Sequence, residues 1–207
     1  MKDEEVKILI KYFPLEDEEK ISKFDEFIGF FKEWNQKINL VSRKDIDNFV
    51  VHHLIHSLAV VKLSNFAPGQ KIIDIGTGGG LPAIPLAIYY PETEFFLCDS
   101  ILKKLKAVEA IAKELNLANI NIIHSRAENL KNHYDIVTGR AVTRFPDFYL
   151  MFSHLLKKEG KMLYWTGNNT FDAYQPGLKI HYLSDYFEDD YFGEKIIIES
   201  VKGLKIK

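Results

Sequence analysis

The chain has 207 residues, of which 46 % are hydrophobic, 13 % aromatic and 27 % charged. A chain of this length buries roughly 70 % of its unfolded surface and needs no disulfides for a stable core, and its composition excludes disordered and collagen-like classes. The single cysteine, Cys98, excludes an internal disulfide, and the acidic start lacks the apolar run of a signal peptide. No apolar run approaches the roughly 18 residues of a membrane span. We therefore expect a cytoplasmic protein of one domain.

The net charge of −2 is unevenly distributed. Residues 1–26 carry five Lys against nine Asp or Glu, and residues 183–207 carry four against six. The middle segment, residues 27–182, has 18 Lys or Arg and 14 Asp or Glu, which gives +4. It also holds all four arginines: Arg43, Arg126, Arg140 and Arg144. Guanidinium groups bind anions in two-pronged geometry and stack on planar groups, so the middle segment fits a nucleic-acid partner better than the total charge suggests.

The first 65 residues are predicted to be helical. One short helix spans residues 3–13 and ends at Pro14. A longer helix over residues 16–38 carries an apolar stripe that includes Phe24, Phe27 and Phe31. Residues 45–63 form a third amphipathic segment, and Ser42 or Asp45 is expected to cap it.

From residue 71 the pattern alternates between strands and helices. Strands are predicted at residues 71–75, 95–98, 120–123, 135–138, 161–165, 178–183 and 195–201, the last two as an antiparallel pair. Helices are predicted at residues 82–90, 101–115 and 146–156. This order indicates an α/β fold with a mostly parallel seven-stranded sheet. We expect residues 1–65, a helical extension, to pack on residues 66–207 as one domain.

The strongest motif is the glycine-rich turn that follows the first strand, Asp74-Ile75-Gly76-Thr77-Gly78-Gly79-Gly80-Leu81-Pro82. Open α/β sheets bind ligands at the carboxyl ends of their strands. A dinucleotide fingerprint requires G-x-G-x-x-G, whereas this turn reads G-x-G-x-G. It resembles motif I of the class I S-adenosylmethionine (SAM) methyltransferases. The resemblance implies that Asp74 lies near the methionine amino group of SAM and that the turn passes the methionine moiety.

Two further segments follow the next two strands. Asp99 ends the second strand, where a carboxylate accepts hydrogen bonds from ribose hydroxyls. NAD and SAM sites share this device, and a helix N-cap is the alternative role for Asp99. Ser125-Arg126-Ala127-Glu128 follows the third strand, and the corresponding loop of class I methyltransferases borders the adenine. A solvated polar loop is the alternative for that tetrapeptide.

Three histidines lie close together in the helical extension: His52, His53 and His56. His52 and His56 share a helix face, but no neighbouring Glu or Cys completes a zinc site. Packing or an RNA contact is favoured over a metal site.

Taken in order, these motifs resemble one family. Trp34-Asn35-Gln36-Lys37-Ile38-Asn39-Leu40 precedes His53-Leu54-Ile55-His56-Ser57, then come the glycine-rich turn, Asp99-Ser100, Ser125-Arg126-Ala127-Glu128 and Arg140-Ala141. Over about residues 20–165 the sequence is similar to the glucose-inhibited division protein B family, whose members are 16S ribosomal RNA guanine-N7 methyltransferases. The W-N-x-x-x-N-L motif carries most of the specificity, because methyltransferases in general lack it.

The resemblance implies a class I SAM-dependent, Rossmann-like methyltransferase fold with an N-terminal helical extension, SAM as methyl donor, and 16S rRNA or the small ribosomal subunit as partner. The family pattern places SAM contacts on Gly76, Leu81, Ala127, Glu128 and Arg140. The general motif adds Asp74, Gly78, Gly80 and Asp99. There are departures: Ala83 replaces a frequent Gly, Gly79 replaces Pro or Ala, and Trp165-Thr166-Gly167 stands where many members have Lys-Gly.

The reaction that the resemblance implies needs no side chain to remove a proton. Guanine N7 is already unprotonated, so positioning supplies the catalysis and no general base is needed. Arg140 is the candidate catalytic residue, expected to separate SAM from guanine, and a structural arginine is the alternative. Phosphate contacts are expected from four exposed cations, each of which is also an ordinary solvated charge: Arg43, Lys44, Arg126 and Arg144.

Three other functions remain open at this point. An NAD-dependent oxidoreductase shares the fold and Asp99 but requires a different glycine spacing. A non-catalytic assembly factor would bind SAM and RNA without methyl transfer. A class I methyltransferase of a small molecule or protein is disfavoured by W-N-x-x-x-N-L. We expect a monomer without a metal ion.

Overall fold

The structure, a computed structural model, describes residues 4–168 and 177–204. Its strands are β1 (Lys71–Ile75), β2 (Glu94–Asp99), β3 (Ile120–His124), β4 (Tyr134–Arg140), β5 (Leu156–Gly167), β6 (Leu178–Tyr182) and β7 (Lys195–Val201). They form one seven-stranded sheet in the order β3-β2-β1-β4-β5-β7-β6. All neighbours pair in parallel except β7, which runs antiparallel to both β5 and β6. The predicted mostly parallel seven-stranded sheet is therefore confirmed.

The α-helices are α1 (Glu4–Tyr12), α2 (Glu18–Lys37), α3 (His56–Leu58), α4 (Ala83–Tyr89), α5 (Leu102–Glu114) and α6 (Phe145–Phe152). Asp3, where the first helix was predicted to begin, lies outside the described residues. The helix predicted over residues 146–156 is too long, because a 3-10 turn over Ser153–Leu155 follows α6 and leads into β5. Leu156 pairs with Tyr134 of β4, so sheet pairing overrides the helical pattern there.

The helix predicted over residues 45–63 is irregular. It consists of a 3-10 turn (Ile46–Asn48), a π-helical stretch (Val50–Ile55), α3, and a second 3-10 turn (Ala59–Lys62). Asp45, one of the two predicted caps, occupies the N-cap position, but its side chain makes no capping hydrogen bond. The Asp45 carboxylate contacts the rings of His52 and His53 at 2.6 and 2.9 Å instead of the helix backbone. Two ring nitrogens thus take the oxygens that a cap would use.

The buried residues form two clusters, one on each face of the sheet. On one face Ile72 and Leu97 share a cluster with Phe27 and Phe31 of α2. On the other face Ile73 lies in a cluster with the aromatic side chains of α6. Successive strand residues alternate between the two faces, so the N-terminal helices complete the core of the sheet.

The strand order places β1 at the point where the chain changes direction across the sheet, between β2 and β4. Ligands of open α/β sheets bind in the crevice at such a switch point, beyond the carboxyl ends of the strands. The glycine-rich turn leaves β1 at this point. Within the described ranges no helix combines the length and apolarity needed to cross a bilayer.

Candidate active site

The glycine-rich turn adopts backbone conformations that require glycine. Gly76, Gly78 and Gly80 have φ angles of 64°, 56° and 83°, in the left-handed region that other residues rarely adopt. A Cβ atom on Gly80 would lie 2.5 Å from Cδ1 of Ile84. The spacing of these glycines therefore follows from the path of the turn into α4.

Asp74 lies at the end of β1, beneath this turn, and is 1 % exposed. The Thr138 hydroxyl donates a hydrogen bond to its Oδ1 at 2.8 Å. No described residue donates a hydrogen bond of standard geometry to the buried Oδ2. Burial raises the pKa of Asp74 to about 6, against the opposing effects of the Thr77 and Thr138 hydroxyls and the Arg140 charge. A buried carboxylate oxygen without a donor suits the ammonium group of a ligand.

Asp99, at the end of β2, connects the glycine-rich turn to α5. Its Oδ2 accepts a hydrogen bond from the Gly78 amide at 2.9 Å, and its Oδ1 accepts one from the Ile101 amide at 2.8 Å. The second contact closes a turn just before α5, whose N-cap is Ile101 without a side-chain cap, so Asp99 is not the N-cap of this helix. Because each carboxylate oxygen has a second lone pair, the residue retains acceptors for ribose hydroxyls.

A cavity opens at the carboxyl ends of these strands, which we call the donor cavity. Four of the predicted SAM contacts line it: Gly76, Asp99, Ala127 and Glu128. Ser125, which belongs to the loop predicted to border the adenine, also lines it, as do Val142 and Phe152, which were not predicted. The other predicted SAM contacts lie outside this lining: Asp74, Gly78, Gly80, Leu81 and Arg140. Gly78 and Gly80 shape the turn, Asp74 is buried in β1 beneath it, and Leu81 is buried in the apolar core.

The W-N-x-x-x-N-L segment attaches the helical extension to the turn. Asn35 is buried, and its Oδ1 accepts hydrogen bonds from the Leu40 and Val41 amides, both at 2.9 Å. This bend ends α2 and brings Leu40 against the turn. A Cβ atom on Gly79 would lie 3.0 Å from Cβ of Leu40 and 3.1 Å from the ring of Phe31. The motif is therefore a structural element that packs the extension against the turn.

Arg140 ends β4 beside the donor cavity. Its Nη2 donates a hydrogen bond to Nδ1 of His53 at 3.3 Å. Burial lowers the pKa of the guanidinium, and the nearby Tyr191, Asp74 and Asp45 act in the opposite direction. The next residue, Ala141, has a φ of 53°, a conformation that costs a residue with a side chain energy. Val142 then lies against Gly76, with its Cγ2 3.0 Å from where a Cβ atom on that glycine would be.

Comparison with known proteins decides the family. A sequence profile described as rRNA small subunit methyltransferase G, GidB, matches residues 20–190. The chain belongs to the GidB family. It is 43 % identical to the ribosomal RNA small subunit methyltransferase G of Christiangramia forsetii, over 93 % of this chain and 95 % of that protein. It is 41 % identical to the protein of the same name from Flavobacterium psychrophilum, over 96 % and 99 %.

The solved structures agree on the fold. The precorrin-6y C5,15-methyltransferase of Geobacter metallireducens superposes with a TM-score of 0.52 at 12 % identity, over 80 % of this chain and 92 % of that one. The class I methyltransferase fold predicted for this GidB family member is thus confirmed.

A second cavity of about 680 Å³ lies on the other side of Arg140, and we call it the acceptor cavity. It is bounded by the ends of β4 and β5, the irregular helical segment and the turn before β7. Its lining includes three cationic side chains: Arg140, Arg144 and Lys195. No Asp or Glu of the described ranges is in the lining. This GidB family member therefore offers a positive cavity next to the donor cavity.

Sequence reasoning missed Lys195 and Tyr191, which the antiparallel strand β7 and the turn before it bring to the acceptor cavity. Lys195 pairs with Gly167 across β5 and β7. Its Nζ lies 4.7 Å from the centre of the Tyr191 ring. Both residues follow the segment that resembles the family, about residues 20–165, so no sequence motif pointed to them. Lys195 supplies a cation beside Trp165-Thr166-Gly167 in the lining of this cavity.

The four predicted RNA contacts do not lie together. Arg144 lines the acceptor cavity, and Arg126 lines the donor cavity. Arg43 and Lys44 are exposed on the extension, just before Asp45. The three histidines are engaged in packing and hydrogen bonds. His52 stacks on Tyr191 with ring centres 3.9 Å apart, and the described ranges contain no group of three or more residues placed to hold a metal ion.

Proposed function

We propose that the chain is a SAM-dependent methyltransferase that modifies N7 of a guanine in 16S ribosomal RNA. Membership of the GidB family supports an rRNA methyltransferase, because the relatives carry that name. The observation that supports SAM as donor is the buried Oδ2 of Asp74, which accepts no hydrogen bond of standard geometry from the described residues beneath the glycine-rich turn. The family match also disfavours the oxidoreductase and the small-molecule methyltransferase.

The residues around the donor cavity fit SAM. Asp74 would accept a hydrogen bond from the amino group, and Asp99 would accept the ribose hydroxyls. Ala127 and Glu128 would border the adenine. The left-handed glycines let the ligand approach the backbone of the turn. When bound, SAM supplies an electrophilic methyl group on a sulfonium sulfur.

The acceptor atom explains why the site needs no base. N7 of guanine has an in-plane lone pair that carries no proton, so no side chain has to remove one. Asp74 is not needed as a base: its Oδ1 accepts a hydrogen bond from Thr138, and its Oδ2 would bind the ligand. Cys98 lines the donor cavity, but burial raises the pKa of its thiol to about 11, so it is not ionised to a nucleophilic thiolate at neutral pH. What this chain contributes is position and orientation.

Arg140 would form the wall between the two cavities. Its planar guanidinium can stack on a purine or donate to O6. Arg144 and Lys195 would contact phosphates of the flipped-out nucleotide or its neighbours. We propose further that the enzyme acts as a monomer in the cytoplasm on 16S rRNA, either free or in the small subunit.

The deciding experiment is nucleoside mass spectrometry of small-subunit rRNA from a strain that lacks the gene. Complementation with the wild-type gene should restore 7-methylguanosine, whereas Arg140→Ala should restore little. The Lys113→Ala variant is the matched control, because Lys113 lies in the last turn of α5, away from both cavities. An unchanged 7-methylguanosine content in the deletion strain would reject the proposal.

A second measurement separates the enzyme from an assembly factor. The purified protein is titrated with SAM by calorimetry and then incubated with labelled SAM and small-subunit rRNA. We expect both binding and transfer of label to RNA. Tight SAM binding together with no label in free rRNA or assembled subunits would instead support a non-catalytic assembly factor.

A further inference from the structure

Arg140 is held by a chain of hydrogen bonds that begins in the helical extension. Oδ2 of Asp45 lies 2.9 Å from Nε2 of His53. Nδ1 of His53 lies 3.3 Å from Nη2 of Arg140. The two ring nitrogens of His53 therefore face groups of opposite character, a carboxylate on one side and a guanidinium on the other.

This geometry allows only one arrangement of protons. A guanidinium only donates hydrogen bonds, so Nδ1 of His53 must present its lone pair to Arg140. The single ring proton then resides on Nε2 and is donated to Asp45, which accepts it as a carboxylate. A protonated imidazole would bring an N–H against the N–H of Arg140 and place two positive charges together.

The electrostatic surroundings of His53 agree with the neutral ring. Burial and the charge of Arg140 lower the pKa of His53 to about 4, against the opposing charge and hydrogen bond of Asp45. Burial would raise the pKa of Asp45, but hydrogen bonds from His52 and Asn48 keep it below its usual value. Asp45, His52 and Arg140 face His53, and Arg140 donates a hydrogen bond to Nδ1 without protonating it.

The Asp45–His53 pair is itself fixed from the far side. Oδ1 of Asp45 lies 2.6 Å from Nδ1 of His52, whose ring stacks on Tyr191. The Tyr191 hydroxyl donates a hydrogen bond to the His52 carbonyl oxygen at 2.9 Å. Asp45 is thus held between two histidines, so the carboxylate has little freedom to move and His53 cannot turn without breaking contacts on both sides.

We propose that Asp45 and His53 are positioning residues that hold the guanidinium of Arg140 at the border between the donor and acceptor cavities. This inference rests on the proposed function for the role of Arg140, but the hydrogen-bond chain itself does not. It gives the helical extension a part in the reaction, because the extension supplies the two groups that orient a residue of the methyltransferase sheet. Misplacing a catalytic group by about 1 Å costs roughly 100-fold in rate.

The kinetic test compares three histidine variants of the full chain. His53→Phe keeps a flat ring but removes both nitrogens, and we expect kcat to fall roughly 10- to 100-fold. His53→Gln supplies one N–H for Asp45 and one oxygen for Arg140, so it should recover much of that loss. His154→Phe is the control for loss of an imidazole ring. Nε2 of the exposed His154 lies 3.3 Å from the Leu130 carbonyl oxygen.

The possible outcomes distinguish a role of His53 in positioning Arg140 from a role in stabilising the fold. A fall in kcat with an unchanged melting temperature, and recovery in His53→Gln, supports the proposal. Wild-type kcat and SAM affinity in His53→Phe, within two-fold, would overturn it. An equal loss in the Phe and Gln variants would also overturn it, because a purely structural ring gives no such recovery.

A spectroscopic test does not depend on activity. In protein labelled with 15N-histidine, long-range 15N–1H correlations should show His53 as the Nε2–H tautomer with a pKa of about 4. Arg140→Ala should raise that pKa, because it removes the nearby positive charge. An Nδ1–H tautomer in the wild type would refute the hydrogen-bond chain. If instead the chain is seen but the wild type methylates no guanine, the proposed function fails and the positioning pair remains.

Discussion

The hydroxyl of Thr138 donates a 2.8 Å hydrogen bond to Oδ1 of Asp74, and the other oxygen, near the Thr77 hydroxyl, accepts no hydrogen bond of standard geometry from the described residues. The two residues come from adjacent strands, since Thr138 pairs with Asp74 across β4 and β1. A buried carboxylate with one oxygen satisfied is costly unless a ligand completes it. The sheet thereby holds in place a group whose unmet hydrogen bond suits an ammonium ion.

Asp74→Asn should weaken SAM binding by about 10- to 100-fold, because a hydrogen bond to a charged group contributes roughly 1.5–3 kcal/mol. Isothermal titration calorimetry measures the change directly. Asp135→Asn is the matched control: this carboxylate, at the opposite end of β4, bonds Lys157 and the Lys71 amide. Equal SAM affinities for wild type and Asp74→Asn would exclude the role we assign to Asp74.

The affinity for SAM should also fall as the pH drops from 7 to 5, because burial raises the pKa of Asp74 to about 6 and SAM needs the ionised form. The free energy of unfolding of the unliganded protein should change in the opposite direction, rising as the pH falls. The folded pKa lies above the unfolded value of about 3.9, so the unliganded fold gains from protonation as the pH falls through 6. Calorimetry across this range should show a slope in the wild type that disappears in Asp74→Asn. A slope of equal size in both proteins would assign the effect to another group.

Gly80→Ala should destabilise the protein by about 2–5 kcal/mol, since a left-handed alanine costs about 1–2 kcal/mol and overpacking about 1–3 kcal/mol. The new Cβ atom would lie 2.5 Å from Cδ1 of Ile84. Gly29→Ala in α2 is the control, because nothing lies within 4 Å of a Cβ atom there and helical alanine gains about 0.5–1 kcal/mol. Thermal unfolding should therefore move in opposite directions for the two variants. A Gly80→Ala protein as stable as the wild type would contradict the proposed strain.

Most of the fold follows from local patterns in the sequence. The short β-branched runs at β1 and β4 and the amphipathic pattern of α5 predict their elements within one or two residues. The irregular helical segment could not be predicted, because its shape depends on a carboxylate that contacts two histidines rather than the backbone. Similarly, β5 begins earlier than predicted because the sheet pairs Leu156 with Tyr134, a contact between residues distant in sequence.

The candidate site divides in the same way. On its donor side, four of the nine predicted contacts line the cavity, because their motifs stand at the ends of successive strands. The acceptor side could not be predicted from local motifs, because Lys195 and Tyr191 come close to Arg140 only when β7 pairs antiparallel with β5. The partnership of His53 with Arg140 spans 87 positions and is visible only in the folded chain.

Asn35→Ala should cost about 2–6 kcal/mol, because it leaves the Leu40 and Val41 amides without their acceptor and each such loss costs about 1–3 kcal/mol. The bend that holds Leu40 against Gly79 would then loosen, so SAM affinity should fall as well. Gln36→Ala, at an exposed neighbouring position, is the control and should change stability by less than about 0.5 kcal/mol. Urea unfolding provides the measurement. Equal midpoints for the two variants would show that the Asn35 hydrogen bonds do not secure the bend.

Lys195→Ala should weaken binding of small-subunit rRNA and leave SAM affinity unchanged, because the lysine lines the acceptor cavity and not the donor cavity. A cation that neutralises one phosphate contributes about one unit to the slope of log affinity against log salt concentration. Binding titrations at several salt concentrations should therefore show a slope smaller by about one unit. Lys113→Ala removes the same charge from the last turn of α5 and should keep the wild-type slope. If both variants reduce the slope equally, the effect is one of total charge, and Lys195 has no special place in the acceptor cavity.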